Sequence, residues 1–335
     1  MYISKTPLRI SLFSGGDMAA FYKHHVGVCL SCTIDKYVYV SVNHNANGQY
    51  RTMYEDIEDY DNLDDIKNSI IKETLSLYGY GKYDGVTISS IMDIPSHGSG
   101  LGSSSAFTVG LINSLVANEN HDGYPGPEWL ASEACQIEIK KCKHPIGKQD
   151  QYAAAYGGMN MFKFYPDESV EVIWNSAWER NIERLRNKLL LIYSGIKRNA
   201  NDILKEQEDN LKDFDKFQEF AALKKNGEYA IKASNAIISG DLNPVGEMLD
   251  DAWKNKKKLA SGISNPAIDE MYDIAMKNGA TGGKLIGAGG GGYFLFFVPR
   301  EYDQDQVARA IGQVKPESRK LNFHFSHEGS KVFKI

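Results

Sequence analysis

Three stretches of this 335-residue chain combine residue types that could handle a phosphate. The first is Pro95-Ser96-His97-Gly98-Ser99-Gly100-Leu101-Gly102-Ser103-Ser104-Ser105-Ala106. Glycines at such spacing let the main chain approach a ligand closely and turn its N–H groups inward. A helix starting right behind them adds free N–H groups and a positive dipole end. Hydroxyls at Ser103, Ser104 and Ser105 can add phosphate contacts or a Mg²⁺ ligand. No GxxxxGK[ST] is present, and no HRD or DFG set stands in the right context, so neither a Walker loop nor a protein kinase is indicated. The plain alternative is a flexible turn with a serine cap, but a linker rarely runs straight into an apolar helix.

The second stretch supplies carboxylates. A helix expected over 128–141 carries Glu133 and Glu138, and behind it runs His144-Pro145-Ile146-Gly147-Lys148-Gln149-Asp150-Gln151. Phosphoryl transfer needs one carboxylate to hold Mg²⁺, another at the attacking hydroxyl, and cations to offset the transferred charge. Glu138, Asp150 and Lys148 could fill those roles. Taken alone, Glu138 reads as a surface carboxylate and Asp150 as an N-cap ahead of Tyr152-Ala153-Ala154-Ala155.

The third stretch, Gly282-Gly283-Lys284-Leu285-Ile286-Gly287-Ala288-Gly289-Gly290-Gly291-Gly292, contains a formal GxGxxG. The dinucleotide fingerprint requires a helix next, whereas Tyr293-Phe294-Leu295-Phe296-Phe297-Val298 reads as a strand. The glycines therefore join two strands, and their crowding exceeds what a hairpin needs, which points to close approach to a ligand.

The elements that must position these residues follow from periodicity. Residues 8–13 and 28–43 read as strands, with Lys36-Tyr37-Val38-Tyr39-Val40 alternating; 62–78 reads as a helix stopped by Gly79, and 85–91 as a strand entering the first glycine loop. An apolar helix follows from Ala106, then the 128–141 helix, strands near 159–164, 170–174 and 188–193, and a long helical stretch over 199–258. The end reads helix 266–277, strand 283–286, strand 293–298, helix 301–311, strand 320–325, a compact α+β unit with an antiparallel sheet.

Composition narrows the class. With 42% hydrophobic and 24% charged residues, the chain can bury a sizeable core as one large domain or two sharing a cleft. A net charge of -5 with no long Lys/Arg run argues against a nucleic-acid partner. No apolar run reaches membrane-spanning length and the start lacks signal-peptide character, so no membrane partner and a cytoplasmic location are expected. Cys29, Cys32, Cys135 and Cys142 lack a second CxxC or a His pair at zinc-ligand spacing and read as reduced thiols.

In this order the segments Lys5-Thr6-Pro7-Leu8-Arg9-Ile10-Ser11-Leu12-Phe13-Ser14-Gly15-Gly16-Asp17, Pro95–Ala106 and Gly282–Gly292 resemble the motifs of the GHMP kinase superfamily over nearly the whole chain. Pro145–Gly158 and Ser194-Gly195-Ile196-Lys197-Arg198 are most similar to its D-glycero-D-manno-heptose 7-phosphate kinase branch, which phosphorylates the anomeric hydroxyl. Where that branch reads Gly-Gly-Gly-Thr-Asp, this chain has Ser14-Gly15-Gly16-Asp17-Met18.

The resemblance implies a two-lobed α+β fold: an N-terminal mixed β-sheet with helices over 1–175, and a ferredoxin-like C-terminal domain with an antiparallel sheet over 176–335. ATP and Mg²⁺ would be used. Gly98, Ser99, Gly100, Leu101, Gly102, Ser103, Ser104 and Ser105 would wrap the ATP phosphates, and Ser104 and Glu138 would hold Mg²⁺. Asp150 would orient or deprotonate the attacking hydroxyl, with Arg9 beside it. Asp17 would bond sugar hydroxyls, Gly289 and Gly290 would close the substrate side, and Lys5, Lys148, Lys197 and Arg198 would meet a sugar phosphate. Kinases for a fucose- or galactose-like sugar, an ATP-dependent decarboxylase of the same superfamily, and a non-catalytic sugar or nucleotide sensor are the alternatives. The joint presence of Asp150, Glu138 and Ser104 favours catalysis. Oligomeric state, monomer or homodimer, stays open.

Overall fold

The computed structural model describes residues 1–54, 56–81, 84–95, 98–119, 126–197, 200–212 and 217–335. Its strands are β1 (Tyr2–Gly15), β2 (Gly27–His44), β3 (Tyr50–Met53), β4 (Ile57–Tyr60), β5 (Val86–Met92), β6 (Met159–Phe164), β7 (Val170–Ile173), β8 (Leu189–Tyr193), β9 (Gly282–Leu285), β10 (Tyr293–Phe297), β11 (Arg319–Leu321) and β12 (Lys331–Lys334). Its helices are α1 (Ala19–Tyr22), α2 (Ser69–Leu77), α3 (Ser103–Asn118), α4 (Pro127–Cys135), α5 (Gln149–Tyr156), α6 (Ile182–Arg186), α7 (Ala200–Lys212), α8 (Phe217–Ser239), α9 (Asn243–Lys256), α10 (Pro266–Lys277) and α11 (Gln304–Val314).

The first sheet runs β12-β1-β2-β5-β3-β4, with β6 and β7 joined through the far half of β2. It is mixed, because β3 lies parallel to β5 while the other described pairings are antiparallel. The second sheet, β11-β8-β10-β9, is antiparallel throughout. The chain is thus the two-lobed α+β fold expected from sequence. The last strand returns to the first sheet, where Lys331–Lys334 pair with Lys5–Tyr2.

Packing explains the apolar runs. In β8 and β10, Leu189, Leu191, Leu295 and Phe297 face the large core shared with the first sheet, while Leu190, Ile192, Phe294 and Phe296 face a second core against α10 and α11. Both faces of this sheet are covered, so its strands read as continuous hydrophobic runs rather than alternating ones. Helix α3 is buried along Ser105–Val116 and packs on β1 and β2, as a helix apolar on all sides must.

Some boundaries moved. The helix expected over 62–78 begins only at Ser69, where the Asn68 side chain accepts from the Ile71 N–H, after a short 3₁₀ turn at Leu63–Asp65. The helix expected over 128–141 is α-helical to Cys135 and then a π-helix over Gln136–Lys141. Strands β3, β4 and β12 were not foreseen, being four residues each and largely polar. No helix among the described residues is long and apolar enough to cross a membrane. All four cysteines are free thiols.

Candidate active site

Strand β1 supplies the floor. Arg9 and Ser11 project from one face by strand periodicity, and the register shift between Ser11 and Phe13 brings Ser14 onto the same cavity wall. Beyond β1, Asp17 accepts a hydrogen bond from the Ser14 hydroxyl at 3.2 Å.

Arg9 is 4% exposed and holds Asp150 through two parallel bonds, Nε to Oδ1 at 2.8 Å and the second terminal nitrogen to Oδ2 at 2.6 Å. Its remaining nitrogen donates to the Gly100 carbonyl at 2.5 Å. One guanidinium therefore ties the first glycine loop to the carboxylate. Asp150 stands in the first turn of α5 without capping it, so the N-cap reading of this residue gives way to the Arg9 pair.

The first glycine loop is built for close approach. Gly98, Gly100 and Gly102 all take positive φ, and Gly102 ends the loop as the N-cap position of the 16-residue α3. Its free N–H groups and dipole end face the same groove as Asp150. The third glycine run abuts it directly: a side chain on Gly100 would meet the Ile286 carbonyl at 2.4 Å, and the Tyr293 N–H donates to Ser99 O at 3.0 Å. The excess glycines thus serve loop-on-loop contact as well as the groove, where Gly287 and Ala288 line the wall.

Glu138 is fully buried, not the surface carboxylate that its sequence setting allows. The Ser104 hydroxyl donates to one oxygen at 2.8 Å and the Gln151 amide to the other at 2.7 Å. The π-helix accommodates one extra residue per turn and aims this side chain inward, a frequent use of such bulges. Burial pushes its pKa up to about 7, Asp150 adding to the rise and the Ser105, Ser104 and Gln151 donors opposing it. A buried carboxylate met only by neutral donors lacks a countercharge, and a divalent cation shared with the Ser104 hydroxyl would supply one. These residues fit Mg²⁺.

Two cavities meet at this point. One, of about 670 Å³, is lined by the first glycine loop and by an apolar wall of Ile70, Ile91, Met92, Ile94 and Phe107. The other, of about 140 Å³, is lined by Ser11, Asp17, Gln149, Asn226, Lys256 and Lys284 among others. Arg9, Asp150 and Gly287 border both. Two ligands can therefore approach one carboxylate from opposite sides.

Residues 67–158 match the GHMP kinases N terminal domain, and residues 229–317 match the GHMP kinases C terminal domain. The chain belongs to the GHMP kinases. It is 29% identical to the D-glycero-alpha-D-manno-heptose 7-phosphate kinase of Campylobacter jejuni, an alignment covering 99% of this chain and 98% of that protein. It is 27% identical to the L-fucokinase/L-fucose-1-P guanylyltransferase of Bacteroides fragilis over 83% of this chain and 31% of that larger protein. A crystal structure of a putative sugar kinase from Campylobacter jejuni superposes with a TM-score of 0.77 at 26% identity, covering 100% of this chain and 98% of the other. That of a D-glycero-D-manno-heptose 1-phosphate kinase from Bacteroides thetaiotaomicron gives a TM-score of 0.80 at 24% identity, covering 100% and 99%, and shares the fold. GHMP kinases use ATP with Mg²⁺, and the chain is a phosphotransferase with an alcohol acceptor.

Within that family frame, the structure sorts the residues singled out from sequence. Arg9, Asp150, Asp17, the 98–105 loop, Ser104 and Glu138 come together. Among the expected phosphate ligands, Lys5, Lys148 and Lys197 do not. Lys5 lies with its ammonium 4.0 Å from the Tyr37 ring and lines neither cavity. Lys148 is buried, donating to the Glu168 carbonyl at 2.7 Å beside the Tyr22 ring, and burial lowers its pKa. Lys197 is exposed, next to Ile196, whose carbonyl accepts from the Gly292 N–H at 3.2 Å. Arg198 lies outside the described residues. Gly289 and Gly290 pack on Ile263 rather than on a cavity wall, with the Gly290 N–H donating to its carbonyl at 2.8 Å.

Two lysines escaped the sequence reading. Lys256, at the end of α9, donates to the carbonyls of Leu285 and Gly287 and so fastens the third glycine loop. Lys284 is buried in β9 and borders the smaller cavity. The strand-like setting of Gly283-Lys284-Leu285-Ile286 ahead of the glycines is the one local signal for it. The apolar wall of the larger cavity had no comparable signal, since its residues come from α2, from β5 and the turn after it, and from α3, and resemble any core residues.

Proposed function

We propose that the chain phosphorylates the anomeric hydroxyl of D-glycero-D-manno-heptose 7-phosphate, using MgATP, to give the 1,7-bisphosphate. The observation that carries this reading is the position of Asp150, held by Arg9 where the loop-lined groove meets the smaller pocket. Similarity to the Campylobacter jejuni heptose 7-phosphate kinase along nearly the entire chain supports the choice of sugar.

In this reading the 98–105 backbone and the start of α3 receive the ATP phosphates, and adenine occupies the apolar end near Ile70, Ile94 and Phe107. Ser104 and Glu138 hold Mg²⁺, which neutralises charge on the phosphates when bound. The acceptor lies in the smaller cavity with Asp17 taking a hydroxyl. Asp150 accepts the proton of the anomeric hydroxyl as the hydroxyl oxygen bonds to the γ-phosphorus and the bond from that phosphorus to the β,γ-bridging oxygen breaks, so ADP leaves. Arg9 fixes the carboxylate's position. Positioning and charge stabilisation carry most of the acceleration. Lys197, which is exposed, meets the 7-phosphate outside the cavity. An ATP supply places the reaction in the cytoplasm.

A neutral sugar is the second reading, favoured by the two carboxylates, Asp17 and Asp150, that line the smaller cavity and would repel a phosphate placed there. The test is ADP release from MgATP with heptose 7-phosphate, mannose 6-phosphate, fucose, galactose and mevalonate. Turnover confined to heptose 7-phosphate, with a new anomeric phosphate signal in the ³¹P spectrum, is expected. Turnover confined to fucose or galactose would retain the mechanism and replace the substrate.

A further inference from the structure

Lys284 is 5% exposed in β9, and its ammonium lies 5.8 Å from the Phe13 ring at the edge of the smaller cavity. Among the described residues no hydrogen-bond acceptor or ion-pair partner reaches that ammonium. A buried cation in this state is costly, and the fold gives no reason for it, since the position pairs only with Leu295 across an apolar sheet. Burial lowers its pKa to about 7, Arg9 adds to the effect, and Cys29 and Asp17 oppose it.

The neighbouring charged groups are committed elsewhere. Arg9 is held by Asp150 and the Gly100 carbonyl, and Lys256 by the carbonyls of Leu285 and Gly287. Asp17 lines the same cavity yet forms no ion pair with Lys284, accepting instead from the Ser14 hydroxyl and from the backbone N–H groups of Asp17 itself and Gln149. Its pKa is raised, by burial first and then by Asp150. The cavity therefore offers one unmet donor and, in the same lining, a carboxylate that can accept from a further hydroxyl. A sugar hydroxyl is both donor and acceptor and can satisfy each. A phosphate would meet the donor but face two carboxylates, Asp17 and Asp150.

We propose that Lys284 is an acceptor-binding residue that donates to a hydroxyl oxygen of the sugar while Asp17 accepts from a hydroxyl on the same side, so that the polyol part of the acceptor, not its phosphate, fills this cavity. The inference rests on the sugar-kinase reading, though not on heptose as the sugar.

Lys284→Met removes the charge at nearly constant length. KM and kcat are measured for heptose 7-phosphate and for the same heptose without phosphate, with the KM for MgATP and the melting temperature as controls. The expected result is a roughly ten- to hundredfold rise in KM for both sugars, the scale of a lost charge-assisted hydrogen bond. The KM for MgATP stays put and the melting temperature does not fall, because an unpaired buried charge has gone. Lys284→Gln, which keeps a donor, gives a smaller rise and serves if the methionine variant folds poorly. A rise confined to the phosphorylated sugar would mean the ammonium reads phosphate, and an unchanged acceptor KM would mean it reads nothing; either overturns the proposal. If galactose or fucose proves to be the acceptor, the same comparison on that sugar and its phosphate decides on Lys284 separately from the heptose assignment. If no sugar turns over, the sugar-kinase reading fails and this inference falls with it.

Discussion

Arg9 on β1 and Asp150 on α5 lie 141 positions apart in sequence and meet through two parallel hydrogen bonds of 2.8 and 2.6 Å. The pair is largely withdrawn from water, and it forms the point where the two cavities join. Lysine cannot reproduce the planar fork. Arg9→Lys is therefore expected to lower kcat by roughly ten- to a thousandfold, the scale on which a misplaced catalytic group acts, with the protein still folded by circular dichroism. A kcat near that of the unchanged enzyme would show that the fork is dispensable.

The Ser104–Glu138 contact carries a pH signature. Below about 7 the Glu138 carboxyl retains its proton, so a cation must displace it. The Mg²⁺ concentration for half-maximal turnover should fall as pH rises through about 7 and level off above it. In Glu138→Gln that dependence should vanish along with most of the turnover. A Mg²⁺ requirement that is flat with pH in the unchanged enzyme would contradict Glu138 as a ligand.

Stability without metal should depend on pH in two opposite windows. Burial raises the Glu138 pKa from 4.5 to about 7, so between those values the folded state holds a proton that the unfolded state has lost, and stability falls as pH rises. Burial lowers the Lys284 pKa from 10.5 to about 7, so above 7 the unfolded state holds the extra proton, and stability rises with pH. Melting curves of Glu138→Gln should lose the fall below pH 7, and those of Lys284→Met the rise above it. Unchanged profiles in both variants would show that neither group is shifted.

The lysines expected from sequence to meet a sugar phosphate should separate by location. Lys5→Ala and Lys148→Ala should leave the acceptor KM unchanged, since both ammonium groups are turned to other partners. Lys197→Ala should raise it for a phosphorylated acceptor only. A large acceptor-KM effect at Lys5 would require the acceptor to extend along β1, away from Asp150.

The glycine loops should tolerate little. Gly292 has a φ of +86°, and a side chain there would meet the Gly98 carbonyl at 2.4 Å. Gly292→Ala should part the two loops and weaken MgATP binding, which fluorescence titration with a labelled nucleotide would detect. Wild-type affinity in that variant would mean the contact is not needed.

Motif order and residue type were enough to pick out residues that the fold brings together: the 98–105 loop before α3, Glu138 and Asp150. They were also enough for the lobes, because β8 and β10 are apolar without interruption and α10 is bounded by Asn265-Pro266. What they missed is set by tertiary contact. Whether Lys148 faces sugar or the Tyr22 ring depends on how the loop before α5 turns, and nothing local distinguishes the two. Lys284 was hidden inside a glycine run whose conspicuous feature was its glycines. The π-helix that turns Glu138 inward reads, residue by residue, as a continuation of α4. Strands β3 and β4 are too short and polar to show alternation, and they form by pairing against β5 and each other.

The central claim is that Asp150 takes the proton of a sugar hydroxyl while the 98–105 loop, Ser104 and Glu138 hold MgATP. It is tested most directly by comparing Asp150→Asn with the unchanged enzyme in two readings, turnover of heptose 7-phosphate and affinity for MgATP. The account expects turnover to fall by roughly a hundredfold or more, the scale of general base catalysis, with MgATP bound as tightly as before. Retention of most activity by Asp150→Asn, with Arg9, Ser104 and Glu138 intact, would contradict it.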